Sequence, residues 1–229
     1  ALATMLIGIL GAVAQSEIKR LLSFTLVSHI GYMIFGIAMA TQASLAGAIF
    51  YTAHHITVQA SLFLVAGLVE RFGGSTSMDR LGGLAPLSPV LGVLFFVPAM
   101  NLAGIPPLSG FIGKLGLLAA GVEVGTPLAW ALVAGSVVTS LLTLYAIAKV
   151  WNRAFWGTPV LGPHAPHDES EGESDGRLPG VMVAGTAALV VLGLALTFFA
   201  GPLYEYVDRA AAGLLGSSYL EAVLSGWVR

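Results

Sequence analysis

Two adjacent histidines, His54 and His55, stand in the middle of an apolar stretch. Histidine changes charge near neutral pH and has two distinct ring nitrogens, so it is suited to passing protons. Neighbouring helix positions point about 100° apart, so we expect at least one of the pair to face into the protein. Two hydrogen-bonded packing histidines are the alternative. A metal site is the weaker interpretation, because no third ligand stands at a suitable spacing.

Gln59 follows one helical turn after His55 and shares its face. Its amide can bridge a chain of water molecules, but it does not accept and release a proton at ordinary pH. We therefore predict that Gln59 supports proton movement through hydrogen bonds and carries no charge itself.

A lysine follows a break in the helical pattern. Gly104, Pro106 and Pro107 interrupt an apolar stretch, and the two prolines remove backbone donors. Backbone groups freed in a membrane must be satisfied by protein or by a water-lined cavity, and transporters use broken helices as ion sites. Lys114 lies two turns later among apolar residues. We interpret it as a buried proton carrier; the alternative is a lysine that reaches the membrane surface.

Two more ionisable residues are candidates. His29, near Ser28 and Tyr32, is compatible with a structural histidine and with a member of a relay. Lys19 belongs to a polar turn with charged neighbours, where it favours a topology anchor over an entry point for protons.

The composition places these residues in a membrane protein. The chain has 229 residues, 56% hydrophobic and 10% charged, whereas soluble domains carry about 25% charged residues. The net charge of −2 and the lack of a basic run argue against nucleic-acid binding. The sequence contains no cysteine, which excludes disulfides and thiolate chemistry. No nucleotide-binding loop or cofactor motif occurs, so we expect no cofactor.

Apolar segments near the required length of about 20 residues predict an all-α membrane protein with about six transmembrane helices in a bundle over residues 1–202. The predicted helices cover residues 1–15, 21–40, 44–69, 89–120, 127–150 and 180–200. The fourth would be about 48 Å long, against a hydrocarbon core of about 30 Å, so we predict two half-helices broken at Pro106-Pro107.

Two segments lack this apolar character. Residues 157–179 are rich in Pro, Gly, Asp and Glu, which predicts a solvated, disordered loop. Residues 203–229 predict an amphipathic tail at the membrane surface or on a partner, with a disordered tail as the alternative.

Basic residues collect on one side of the predicted bundle. Six crossings place on that side Lys19, Arg20, Arg71, Arg80, Lys149, Arg153 and Arg177, and leave Arg209 and Arg229 on the other. By the positive-inside rule the first side is cytoplasmic. The loop 157–179 is then expected in the cytoplasm and the tail 203–229 outside.

The segments that contain these residues resemble the antiporter-like membrane subunits shared by Mrp-type sodium/proton antiporters and respiratory complex I. They are EIKRLLSF at 17–24, SHIGYM at 28–33, HHI at 54–56, LFL at 62–64 and LAGIPPLSGFIGK at 102–114, the most specific. KVWNRAFW at 149–156 looks most like the D-type subunits of the Mrp complex. The resemblance covers about residues 1–157.

The resemblance implies a fourteen-helix fold built from two inverted five-helix repeats, each with one broken helix. This chain would supply the C-terminal six, in agreement with a start at Ala1 that favours a longer or processed chain over a complete small protein. In the family, the lysine after the break ends a midplane axis of lysines and histidines. Lys114 matches that lysine and His55 a relay histidine.

Gln59 departs from the family pattern, which has a lysine at this position. Because an amide holds no charge, either water bridges His55 and Lys114 or the subunit couples differently.

The leading hypothesis is a secondary transporter subunit of a multi-subunit sodium/proton antiporter in the bacterial plasma membrane. It would conduct protons through Lys114, His55 and His54, and its expected partners are other membrane subunits, the lipid bilayer, protons and monovalent cations. One alternative is a proton-pumping subunit of complex I or of a membrane hydrogenase. The other is a non-conducting scaffold subunit.

Overall fold

A computed structural model describes residues 1–158 and 178–216. Most of these residues belong to α-helices, which in chain order are α1 (Leu2–Ala14), α2 (Ile18–Met39), α3 (Gln42–Gly73), α4 (Leu84–Leu87), α5 (Pro89–Ala103), α6 (Ser109–Val124), α7 (Pro127–Val150), α8 (Gly180–Phe198) and α9 (Ala200–Leu215). A π-helical turn, Trp151–Phe155, continues α7. Among the described residues, α2, α3, α8 and α7 with its π-helical turn are long and apolar enough to cross a membrane, while α1 and α5 are shorter apolar helices.

The predicted break separates α5 from α6. Gly104 ends α5 with a φ of 82°, a left-handed conformation that glycine adopts without steric cost. The amides of Gly104 and Ile105 both donate to the carbonyl of Met100 at 3.2 Å, and α6 starts only at Ser109. With 15 residues, α5 is about 22 Å long, so α5 and α6 together make one crossing.

The third helix extends beyond the predicted residues 44–69. It begins at Gln42 because Thr41 caps it: the Thr41 hydroxyl accepts from the Ser44 amide at 3.1 Å. It continues past Glu70 to Gly73, and Gly74 ends it with a φ of 68°. Similarly, α2 begins at Ile18, so Lys19 belongs to its first turn and not to a preceding connector.

The predicted loop and tail are only partly described. Residues 159–177 of the predicted loop 157–179, and residues 217–229 of the predicted tail, lie outside the described residues. The described part of the tail belongs to α9, which packs Val207 and Ala211 against the start of α3. Gln42 of α3 donates to the Asp208 carboxylate at 2.9 Å.

The bundle has its polar groups inside and many large apolar side chains outside. Ile56 is 63% exposed, as is Leu141. The buried polar set is Thr25, Ser28, His29, Ser44, His54, His55, Thr57, Gln59, Ser61, Asn101, Ser109, Lys114, Ser136, Thr139, Thr143 and Thr186. Ionisable groups of a membrane bundle face its interior because lipid cannot solvate them. Helix α3 lies at the centre and contacts α2, α5, α6, α8 and α9.

One end of the bundle is held together by charged groups and backbone bonds. Lys19 pairs with Glu70, and Arg153 Nη1 lies 3.1 Å from Asp79 Oδ1. The amide of Ile18 donates to the Thr76 carbonyl at 2.9 Å, so the connector after α3 pairs with the turn before α2. Most of the basic residues therefore lie at one end of the bundle, and α9 lies at the other.

Lys149 fastens α7 to the end of α1. Its Nζ donates to the carbonyls of Val13 at 2.7 Å and Gln15 at 2.6 Å, groups that have no partner within their own helix. We expect Lys149→Met to cost about 1.5–3 kcal/mol, the contribution typical of hydrogen bonds to a charged group. Thermal unfolding of the purified complex in detergent measures this as a lower Tm. Leu141→Met, on the exposed face of α7, serves as the control; equal Tm values for both variants would contradict this role for Lys149.

Candidate functional site

Five aromatic and imidazole rings from α2 and α3 form a buried group, the His–Tyr cluster: His29, Tyr32, Tyr51, His54 and His55. Their ring centroids are 4.9 Å apart for His29 and His55 and 5.4 Å for Tyr51 and His54. All five side chains are at most 3% exposed. The cluster lies where α2 and α3 meet the broken helix.

Lys114 points into the break. It is 5% exposed, and its Nζ donates to the carbonyls of Leu102 and Ala103, each at 3.2 Å. These carbonyls end α5, where the helix dipole favours a cation. The same Nζ lies 5.3 Å from the ring centroid of Tyr32. The lysine therefore joins the second half-helix to the first and touches the His–Tyr cluster, and it does not reach toward the membrane surface.

The two adjacent histidines are both buried, although they lie on different parts of the α3 surface. His54 Nδ1 lies 2.9 Å from the Ser109 hydroxyl, while its Nε2 has no hydrogen-bond partner among the described residues. Neither nitrogen of His55 has a partner there. Unpartnered polar atoms are costly in a dry interior, so these nitrogens are the groups of the site that can bind water or take up a proton.

Gln59 links α3 to α2. Its Nε2 donates to the Leu22 carbonyl at 2.7 Å. The same carbonyl also accepts from the Thr25 hydroxyl at 2.8 Å. Its Oε1 lacks a partner in the part of the chain that the structure describes. An acceptor is thus left free one turn from His55.

His29 differs from the other two histidines because both its nitrogens have partners. Nδ1 lies 2.9 Å from the Tyr51 hydroxyl and Nε2 lies 3.5 Å from the Thr143 hydroxyl. The Thr143 hydroxyl itself donates to the carbonyl of Thr139 at 2.8 Å. This arrangement ties α2 to α3 and α7.

Lys19 stands apart from the cluster. Its side chain is 43% exposed and pairs with Glu70 at the charged end of the bundle. The structure thus brings together Lys114, His54, His55, Gln59 and His29, with Gly104, Pro106 and Pro107 forming the break beside them, and places Lys19 elsewhere.

Sequence reasoning missed Asn101. It is 1% exposed in the last turn of α5, and its Oδ1 accepts from the Gly110 amide at 2.9 Å and from the Ser109 hydroxyl at 3.2 Å. The Ser109 amide donates to the Thr197 hydroxyl of α8 at 2.9 Å. A lone polar amide just before the break was the available signal, but an uncharged residue does not stand out in a search for ionisable groups.

The described residues contain no group of three or more His, Cys, Asp or Glu side chains able to hold a metal ion. Within the described residues, the site offers one buried amine, imidazole nitrogens and neutral hydrogen-bonding groups.

This architecture defines a polytopic all-α membrane protein with an ionisable site at a broken helix. A family model described as NADH:quinone oxidoreductase/Mrp antiporter, transmembrane, matches residues 1–143. The chain belongs to this family.

The relatives include subunits of sodium/proton antiporters and subunits of NADH-quinone oxidoreductases. The chain is 39% identical over 222 residues to the D-type subunit of the Na(+)/H(+) antiporter of Alkalihalophilus pseudofirmus, covering 96% of this chain and 43% of the relative. It is 34% identical over 213 residues to the N-type subunit of the NADH-quinone oxidoreductase of Salinibacter ruber, covering 89% of this chain and 40% of that protein. The chain thus spans less than half the length of these relatives.

Solved structures show the same fold. A chain of the Mrp complex from Dietzia matches with a TM-score of 0.84 and 36% identity, over 97% of this chain and 48% of that one. A chain of respiratory complex I from Thermus thermophilus matches with a TM-score of 0.74 and 26% identity, over 94% of this chain and 43% of that one. The predicted fold class, an all-α membrane protein with about six crossings and a helix broken at Pro106-Pro107, is confirmed. The chain is a multi-pass bacterial membrane protein of this family.

Proposed function

We propose that this chain is part of a membrane subunit of a multi-subunit cation/proton antiporter of the Mrp type and that protons cross it through Lys114 and the His–Tyr cluster. The observation that carries the proposal is the placement of Lys114. Its buried Nζ donates to two carbonyls at the break in the helix, next to histidine nitrogens that have no partner among the described residues. The sequence identity to the Alkalihalophilus antiporter protein is greater than the identity to the Salinibacter oxidoreductase protein. This difference supports an antiporter subunit over an oxidoreductase subunit.

The proposed proton steps run between Lys114 and His55. The Lys114 ammonium gives a proton to a bridging water, which passes one to a His55 nitrogen, so the lysine becomes a neutral amine until it is reprotonated. General acid–base groups need such hydrogen-bond reach, directly or through one water. Gln59 Oε1, which has no partner in the described part of the chain, provides an acceptor for the water. A neutral amide can therefore serve at the position where the family resemblance implies a lysine.

The arrangement of charges supports an orientation. Lys19, Arg20, Lys149 and Arg153 lie at the end of the bundle opposite α9, and the positive-inside rule makes that end cytoplasmic. The loop 157–179 then lies in the cytoplasm and the tail 203–229 outside the bacterial plasma membrane. Partner subunits and lipid can contact the charged end and the exposed apolar surface of the bundle.

Reconstitution of the purified complex in liposomes tests this function. An imposed sodium or potassium gradient is expected to drive a pH change without any redox substrate. A pH change that requires electron transfer would overturn the antiporter assignment in favour of a redox-driven pump. No flux under either condition from an assembled complex would indicate a scaffold.

Gln59 offers a test of the neutral bridge. Gln59→Leu removes both amide atoms at nearly constant volume and leaves the Leu22 carbonyl with one donor fewer. We expect flux to fall about tenfold, equivalent to one lost hydrogen bond of about 1.4 kcal/mol. Ile56→Leu, on the exposed face of α3, is the control. Unchanged flux in Gln59→Leu, measured at equal complex levels, would show that the amide plays no part.

A further inference from the structure

We propose that Ser109 and Asn101 form a positioning pair that keeps the hydrogen of neutral His54 on Nδ1, so that His54 takes up and returns a proton only at Nε2. The tautomer assignment stands on hydrogen-bond geometry alone. The use of Nε2 in transport rests on the proposed function.

The Gly110 amide fixes the orientation of the Asn101 side-chain amide. Gly110 is the second residue of α6, so its amide has no partner within that helix. It donates at 2.9 Å to the Asn101 side chain. An amide nitrogen cannot accept this bond, so the oxygen of Asn101 must face Gly110 and Ser109.

The oxygen of Asn101 orients the Ser109 hydroxyl. Its oxygen lies 3.2 Å from Asn101 Oδ1 and 2.9 Å from His54 Nδ1. A hydroxyl has one hydrogen. If that hydrogen pointed at His54, two oxygens would face each other at 3.2 Å with no hydrogen between them. The hydrogen therefore lies toward Asn101, and the Ser109 oxygen presents a lone pair to His54.

The Ser109 oxygen determines which nitrogen of His54 carries the hydrogen. Nδ1 must carry one to bond with the Ser109 oxygen, and a neutral imidazole has only one, so Nε2 is bare. Nε2 is buried and has no partner among the described residues. Gly110 leaves it room, since a β-carbon there would lie 3.0 Å from Nε2.

The Nδ1 side of His54 is closed to proton transfer. Its hydrogen-bond chain runs through Ser109 and ends at Asn101 Oδ1, which also accepts from the Gly110 amide and, as an amide oxygen, does not carry a proton onward. A proton taken up at Nε2 must therefore depart from Nε2. Both nitrogens of the neighbouring His55 lack partners in the described part of the chain, so the two histidines are not equivalent.

Solid-state NMR of the complex in lipid, with ¹⁵N-labelled histidine, tests the assignment at about pH 8.5, well above the ordinary histidine pKa of about 6.5. The signals missing in His54→Gln identify His54. We expect a protonated Nδ1 and a bare Nε2, with at least about a tenfold preference from the Ser109 bond. Ser109→Ala should lose most of that preference, while Ser109→Thr, which keeps the hydroxyl, should retain it. A wild-type His54 with its hydrogen on Nε2 would overturn the proposal, and so would an Nδ1 preference that Ser109→Ala leaves intact.

Proton flux in the same variants tests the use of His54 Nε2 in transport separately from the tautomer of His54. Reduced flux in Ser109→Ala with near-normal flux in Ser109→Thr supports Nε2 as the working nitrogen. If the tautomer changes as expected but flux does not, the positioning role holds and the use of His54 in transport fails.

Discussion

Replacing Lys114 by methionine is expected to lower cation-driven proton flux by at least about 100-fold, at the lower end of what a general acid–base group contributes. Methionine has an unbranched side chain one atom shorter than that of lysine, and it carries neither a charge nor a transferable proton. The carbonyls of Leu102 and Ala103 would each lose a donor, which costs about 1–3 kcal/mol per group left unsatisfied. Because the methionine side chain is unbranched and apolar, we expect the complex still to assemble.

The measurement is a cation-driven pH change in everted membrane vesicles, normalised to the amount of assembled complex. Leu115→Met is the matched control, because Leu115 is the next residue of α6 and is half exposed on the outer face. Wild-type flux in an assembled Lys114→Met complex would exclude Lys114 as a proton carrier.

Gly110→Ala is expected to prevent correct assembly. A β-carbon at this position would overlap the backbone carbonyl oxygen of Asn101 and would lie 3.0 Å from Cε1 and Nε2 of His54. Neither neighbour is the free end of a flexible chain, so α5 and α6 would have to move apart. Overpacking of this kind costs about 1–3 kcal/mol or more, and the movement would also break the bond from the Gly110 amide to Asn101.

The amount of complex in the membrane and its Tm report this effect. Gly67→Ala is the control, since a β-carbon there meets nothing within 4 Å. Alanine is favoured over glycine in a helix by about 0.5–1 kcal/mol, so Gly67→Ala should leave Tm unchanged or raise it. A normal Tm and yield for Gly110→Ala would mean that the break tolerates a wider separation than its contacts indicate.

The break and its lysine were predictable from the sequence because their causes are local. Gly104, Pro106 and Pro107 act through their own backbone geometry, and the apolar residues around Lys114 follow it in the chain. The sequence predicted that at least one of His54 and His55 faces inward, because lipid cannot solvate an ionisable side chain. The structure buries both.

The hydrogen-bond partners were not predictable, because they come from distant parts of the chain. Thr143 reaches His29 across 114 residues, and Ser109 reaches His54 across 55. These partners decide that His29 is fully bonded while His55 is free of partners in the described part of the chain. Glu70, which pairs with Lys19, likewise lies in α3 beyond the predicted helix end.

The hydrogen bond between Ser109 and Thr197 joins two residues that are made at different times during synthesis. At about 22 Å, α5 is too short to span the bilayer alone, so it must enter the membrane together with α6. Thr197 is made 88 residues after Ser109, which at roughly 5–20 residues per second takes about 4–18 s. For that interval the break lacks the donor–acceptor pair that α8 completes. The Ser109 amide thus has no Thr197 hydroxyl to bond with until α8 has been made.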